Sequence, residues 1–119
     1  MHAPTLRGLT WCGYDAAELL EAWGAWAASS PRLGYTRTSE PARAHRRAFI
    51  PEDVIAVVDA AATSLKIYQP ALFRVLELRC IQGRTCAEVG AILNCSPMQA
   101  SRLLVLAVKI LMAELAGNR

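Results

Sequence analysis

The sequence predicts an all-α fold, a compact domain of about five helices with a C-terminal helix-turn-helix and a long basic loop. Three observations predict it. Apolar residues recur at three- and four-residue spacing over several stretches, and helix-starting residues stand just before those stretches. The chain also has 119 residues, 54% of them hydrophobic and 19% charged, which suits one domain with one core and excludes a disordered chain. A single domain over 1–119 is expected, with no room for a second, catalytic one.

The first helix is expected over 15–29. The Asp15 carboxylate can cap the free amides of the turn that follows, and Leu19, Trp23 and Trp26 then share a face, flanked by Leu20 and Ala27. Both tryptophans are read as core rather than as stacking platforms for nucleotides. Gly24 costs about 1 kcal/mol relative to Ala inside a helix, so it should admit a closely packed neighbour. Ser29, Ser30 and Pro31 end the helix.

Residues 30–50 contain two prolines, a glycine and no sustained periodicity, and form the basic loop. Arg32, Arg37, Arg43, Arg46 and Arg47, with His45, are opposed there only by Glu40. These five arginines are candidates for contact with the phosphates of DNA or emerging RNA, the bland alternative being a solvated charge cluster. The net charge of +3 is by itself too small to demonstrate such a partner.

Two helices are expected over 51–83. The first opens with Pro51 in its first position and Glu52 and Asp53 in its positive first turn, and buries Val54, Ile55, Val58, Ala61, Ala62 and Leu65. The second starts at Pro70 and stops at Gly83. Leu72, Val75, Leu76 and Arg79 follow helical spacing along it, while Arg74 and Glu77 stay solvated.

Residues 84–116 carry the motif. Two capping boxes follow in close succession, Thr85 with Glu88 and Ser96 with Gln99, leaving room for one short helix over 86–93 and a tight turn at Asn94-Cys95. This reads as a helix-turn-helix. Val89 and Leu93 point inward, Gly90 lets the second helix cross closely, and Cys95 plugs the turn. On the second helix Ala100, Leu103, Leu104, Ala107 and Leu111 face inward; Met98, Ser101, Arg102, Val105 and Lys109 face away, with Gln99 at the edge. That helix has only Arg102, Lys109 and Glu114 as charges, so its C-terminal half either meets a second protein surface or is the central helix of the core.

No catalytic residues are expected: the acidic groups sit at helix starts, and no histidine or nucleophile accompanies them. Cys12, Cys80, Cys86 and Cys95 form no CxxC pair, and neither His2 nor His45 completes a metal site, so no metal or other cofactor is expected and the thiols are read as buried and reduced. The N-terminus has no charged head before a long apolar stretch, and Arg102 and Lys109 interrupt the longest apolar runs. Neither secretion nor a membrane partner is indicated, which points to the cytoplasm.

The spacing of the helix-turn-helix resembles region four of bacterial sigma factors. The stretch LEAWGAWAASS, a Pro/Arg-containing loop and the C-terminal motif together resemble a small antitermination Q protein family of lambdoid phages, from about Glu18 to Leu115. That resemblance implies a factor that binds a DNA element near a phage late promoter and loads onto host RNA polymerase paused nearby with its sigma factor. The loaded protein is similar to a nozzle on the RNA exit channel, which keeps terminator hairpins from forming. Carried over, Pro97, Met98, Gln99, Ser101 and Arg102 become DNA contacts at the start of the recognition helix, and Arg84 a phosphate contact. The implied partners are a double-stranded DNA site and host RNA polymerase with sigma, with nascent RNA and a second copy of the chain as further candidates. A helix-turn-helix repressor or activator, and a phage DNA-packaging protein, are the competing readings.

Overall fold

The computed structural model describes residues 8–29 and 50–117. The element order is β1 (Thr10–Trp11), β2 (Tyr14–Asp15), α1 (Ala16–Ala28), α2 (Glu52–Tyr68), α3 (Pro70–Leu76), a π-helical turn (Glu77–Ile81), α4 (Cys86–Leu93) and α5 (Pro97–Gly117). Among the described residues the fold is all-α with five α-helices, as the sequence predicts. The basic loop's Arg32, Arg37, Arg43, Arg46 and Arg47 lie outside the described residues.

The small hairpin was not expected. Thr10 pairs with Asp15 and Trp11 with Tyr14, and the two-residue loop between them places Cys12 and Gly13 at φ 56° and 81°. Two successive positive φ values are those of the tight turn whose twist matches antiparallel strands. The hairpin runs directly into α1, where Asp15 Oδ1 accepts from the Glu18 amide at 2.8 Å and Glu18 Oε1 accepts from the Asp15 amide at 3.1 Å. Each carboxylate satisfies an amide that the first helical turn would otherwise leave unpaired.

Pro51 caps α2 rather than occupying its first helical position, a shift of one residue from the sequence reading. The expected apolar face is there: Ile55, Val58, Ala61, Ala62 and Leu65 are buried, with Val54 packed beside them. Trp23 is fully buried, and its indole Nε1 donates to Asp59 Oδ1 of α2 at 3.0 Å. The tryptophan is therefore core, and its one polar atom is satisfied.

The helix expected to run from Pro70 to Gly83 is α-helical only as far as Leu76. Over Glu77–Ile81 the pitch widens, and the Gln82 amide donates five residues back to the Glu77 carbonyl at 3.0 Å. Each widened turn rotates the following side chains relative to an α-helix. Leu78 and Ile81 are buried as a result, and Arg79, placed by periodicity on the Leu72 face, is exposed.

Packing explains where the widened turn sits. A Cβ on Gly24 would overlap the backbone carbonyl of Cys80, so α1 lies directly against the π-helical turn. Gly24 admits the close neighbour that its place between two tryptophans implied.

The buried residues form two clusters. The larger joins α1, α2, α3 and the C-terminal part of α5; the smaller contains Val75, Leu78, Val89 and Ala100. Leu103 and Leu104 pack against both. Ala107, Val108, Leu111, Met112 and Leu115 of α5 are buried in the larger cluster, so this helix is apolar because it is the central helix of the core. No helix among the described residues is long and apolar enough to cross a membrane.

Candidate nucleic-acid interface

The smaller cluster mounts α4 and the first turns of α5 on the rest of the domain. Thr85 Oγ1 accepts from the Glu88 amide at 3.1 Å, and Glu88 Oε1 accepts from the Thr85 amide at 2.9 Å, so α4 begins with the reciprocal cap its sequence implied. Val89 is buried and Leu93 packs at the edge of the cluster.

Asn94 then takes the left-handed conformation, φ 64° and ψ 46°, and the Cys95 amide donates to the Gly90 carbonyl at 2.8 Å. This closes the helix and turns the chain within three residues. Gly90 meets the turn and not the following helix: a Cβ there would lie 2.5 Å from the Cys95 carbonyl oxygen and 3.1 Å from that of Ser96. Cys95 packs against the smaller cluster, as a plug of the turn should. It is only half-buried, however, as are Cys80 and Cys86, and Cys12 is exposed, so the cysteines form no disulfide but are not buried as expected.

On α5, Pro97, Met98, Gln99 and Arg102 are exposed, Ser101 is half-buried and Ala100 is buried behind them. The structure thus brings the expected candidates onto one face. Val105, expected to continue that face, is buried. Among the described residues Arg102 makes no hydrogen bond or ion pair, so its guanidinium is available. The Gln99 amide N–H donates to Ser96 Oγ at 3.0 Å, but its side chain does not return the bond, in contrast to Glu88 on α4.

Arg84 is half-buried just ahead of α4, with Nε donating to Gln82 Oε1 at 3.0 Å. Arg79 Nη1 donates to the Arg84 carbonyl at 3.3 Å and is exposed. The structure therefore pairs Arg79 with Arg84, an association that α-helical periodicity hides and only the π-helical turn reveals. Arg74 is engaged with Glu77 at 3.0 Å on the surface, an exposed pair of little energetic weight. No group of three or more metal-ligating side chains occurs among the described residues.

The arrangement is an exposed polar and apolar face at the start of one helix, packed against a shorter helix, with Arg84 and the Arg79 bonded to its carbonyl standing just ahead of that shorter helix. Such a unit can lay its second helix in a major groove while the arginines meet the phosphate backbone. Residues 34–117 match the family model described as ECF sigma factor. Comparison with curated proteins and with solved structures gives no match. The match agrees with the two-helix unit resembling sigma region four, and assigns the chain to DNA-binding, RNA polymerase-interacting regulation of transcription.

Proposed function

The chain belongs to the ECF sigma factor family, and we propose that within this setting it acts as an antitermination factor that reads a DNA element near a promoter-proximal pause and then loads onto RNA polymerase. The observation that carries the proposal is the face of Met98, Gln99 and Arg102, exposed among the described residues, at the start of α5 in a chain of this family. Arg79 and Arg84 would hold phosphate at its edge, and the arginines of residues 30–50 would meet DNA, emerging RNA or polymerase. Its action is steric and electrostatic and involves no enzymatic step.

The resemblance to small antitermination Q proteins supports persistence on the polymerase after initiation. The family match favours a second reading, a sigma-like activator that leaves once the promoter has been opened. Transcription in vitro with a terminator downstream of the protein's DNA site separates them. Antitermination predicts readthrough that depends on that site and persists after excess competitor DNA is added. A rise in initiation with unchanged termination would replace it with the activator reading.

A further inference from the structure

The two most exposed large apolar side chains among the described residues are neighbours, Ile67 and Tyr68, 68% and 78% exposed at the C-terminal end of α2. Single exposed apolar residues are ordinary on a protein surface. Tyr68 differs because it stands on the rim of a hole. Between α2 and the C-terminal half of α5 lies a cavity of about 270 Å³, lined by Ala61, Leu65 and Tyr68 from one helix and by Ile110, Leu111 and Glu114 from the other. Ala61 and Ser64 of α2 are small, which leaves the gap between the helices unfilled.

The walls are mainly apolar, and Glu114 supplies a carboxylate. Among the described residues neither Glu114 nor the Tyr68 hydroxyl makes a hydrogen bond or ion pair. The ligand that suits such a hole is a flat apolar ring with a hydrogen-bond donor at its tip. Tyr68 has that form, and at 78% exposure it does not occupy the hole beside it. A second copy of the chain supplies the missing ring.

We propose that two copies of this chain associate about a two-fold axis through this surface, the Tyr68 ring of each entering the α2–α5 cavity of the other and its hydroxyl donating to the Glu114 carboxylate there. A two-fold contact is self-complementary, so one knob and one hole per chain give two insertions and leave no open end. A tyrosine is suited to this role because it brings a large contact area with only two side-chain torsions to fix. Leu106, 48% exposed one turn before Ile110, continues the apolar surface along α5.

A buried aromatic ring covers about 150–250 Å², so with an equal area of cavity wall the two insertions remove roughly 600–1,000 Å² from water. Stable interfaces bury about 1,200–2,000 Å². The pair is therefore weak when free, and it suits copies already held close together, where the effective concentration is raised. The contact does not depend on the DNA-reading assignment and uses none of its residues: Ile110 follows Arg102 by about 12 Å along the helix axis.

Sedimentation equilibrium of the full chain from about 10 μM to 1 mM measures the association, in reducing buffer so that the exposed Cys12 cannot cross-link copies. Wild type is expected to form dimers reversibly towards the top of this range, and no larger species. Tyr68→Ala removes the knob and Ser64→Trp fills the hole; each should weaken association by about tenfold or more. Melting of the dilute proteins should change little, because Tyr68 is exposed and Ser64 only half-buried. Mixed together, the two variants retain one knob and one open hole, so they should pair with each other more readily than either pairs with itself. A wild type that stays monomeric throughout, dimers that neither variant weakens, or a mixture no better than its parts overturns the proposal. So does a marked fall in melting temperature for both dilute variants, which would show the hole filled by another part of the same chain.

Discussion

Replacing Gly90 by Ala tests whether the turn between α4 and α5 sets the position of the reading face. The added Cβ would lie 2.5 Å from the Cys95 carbonyl oxygen, where real Cβ contacts essentially never fall below 3.0 Å. The atom it meets is backbone, tied in place by the 2.8 Å bond from the Cys95 amide to the Gly90 carbonyl and by the left-handed Asn94. The turn must therefore move by about half an ångström or more, and it cannot do so by changing a rotamer. Overpacking of this kind costs about 3 kcal/mol at its upper range, and the better helix propensity of Ala returns about 1 kcal/mol. The net loss of about 2 kcal/mol corresponds to a fall in melting temperature of roughly 6–12 °C for a domain of this size.

Thermal unfolding followed by circular dichroism, with DNA binding measured well below the transition, reads both consequences. Gly117→Ala is the control, because a Cβ there meets nothing within 4 Å. Site-specific binding by Gly90→Ala should weaken more than its loss of stability explains, since the start of α5 is displaced. Equal melting and equal binding for Gly90→Ala and wild type would refute the reasoning that Gly90 is required by the turn.

Three further outcomes are expected. Gly24→Ala should destabilise more than Gly90→Ala, because its Cβ would overlap the Cys80 carbonyl more severely; a melting temperature above that of Gly90→Ala would contradict the packing of α1 on the π-helical turn. Asp59→Ala should cost about 1–3 kcal/mol in chemical unfolding by stranding the Trp23 indole N–H, whereas Asp59→Asn keeps an acceptor and should cost less; equal losses would show that the 3.0 Å bond contributes nothing. Exchanging Arg43, Arg46 and Arg47 for Ser should leave melting unchanged and reduce the salt dependence of DNA or polymerase loading by roughly one counterion per lost contact; an unaltered salt slope would identify residues 30–50 as a solvated cluster.

The sequence by itself determined the features that depend on a few neighbouring residues. Helix starts at Asp15, Thr85 and Ser96 were legible because a cap is a contact across three residues, and the bounds of α4 followed from two caps and the turn between them. Met98, Gln99 and Arg102 were legible as an outward face because they lie within the first two turns of α5, where its cap sets the phase and one side is buried. Tertiary structure decided what depends on segments distant in the chain. Cys80 lies against Gly24, more than fifty residues away, where the helix changes pitch; that change frees Arg79 to join Arg84 and could not be read from a spacing that assumes 3.6 residues per turn. Val105, read as outward, is buried as well. The central place of α5 was likewise a tertiary outcome: a helix held between two apolar clusters buries several faces at once, and periodicity then no longer distinguishes the side that meets solvent from the side that meets another helix.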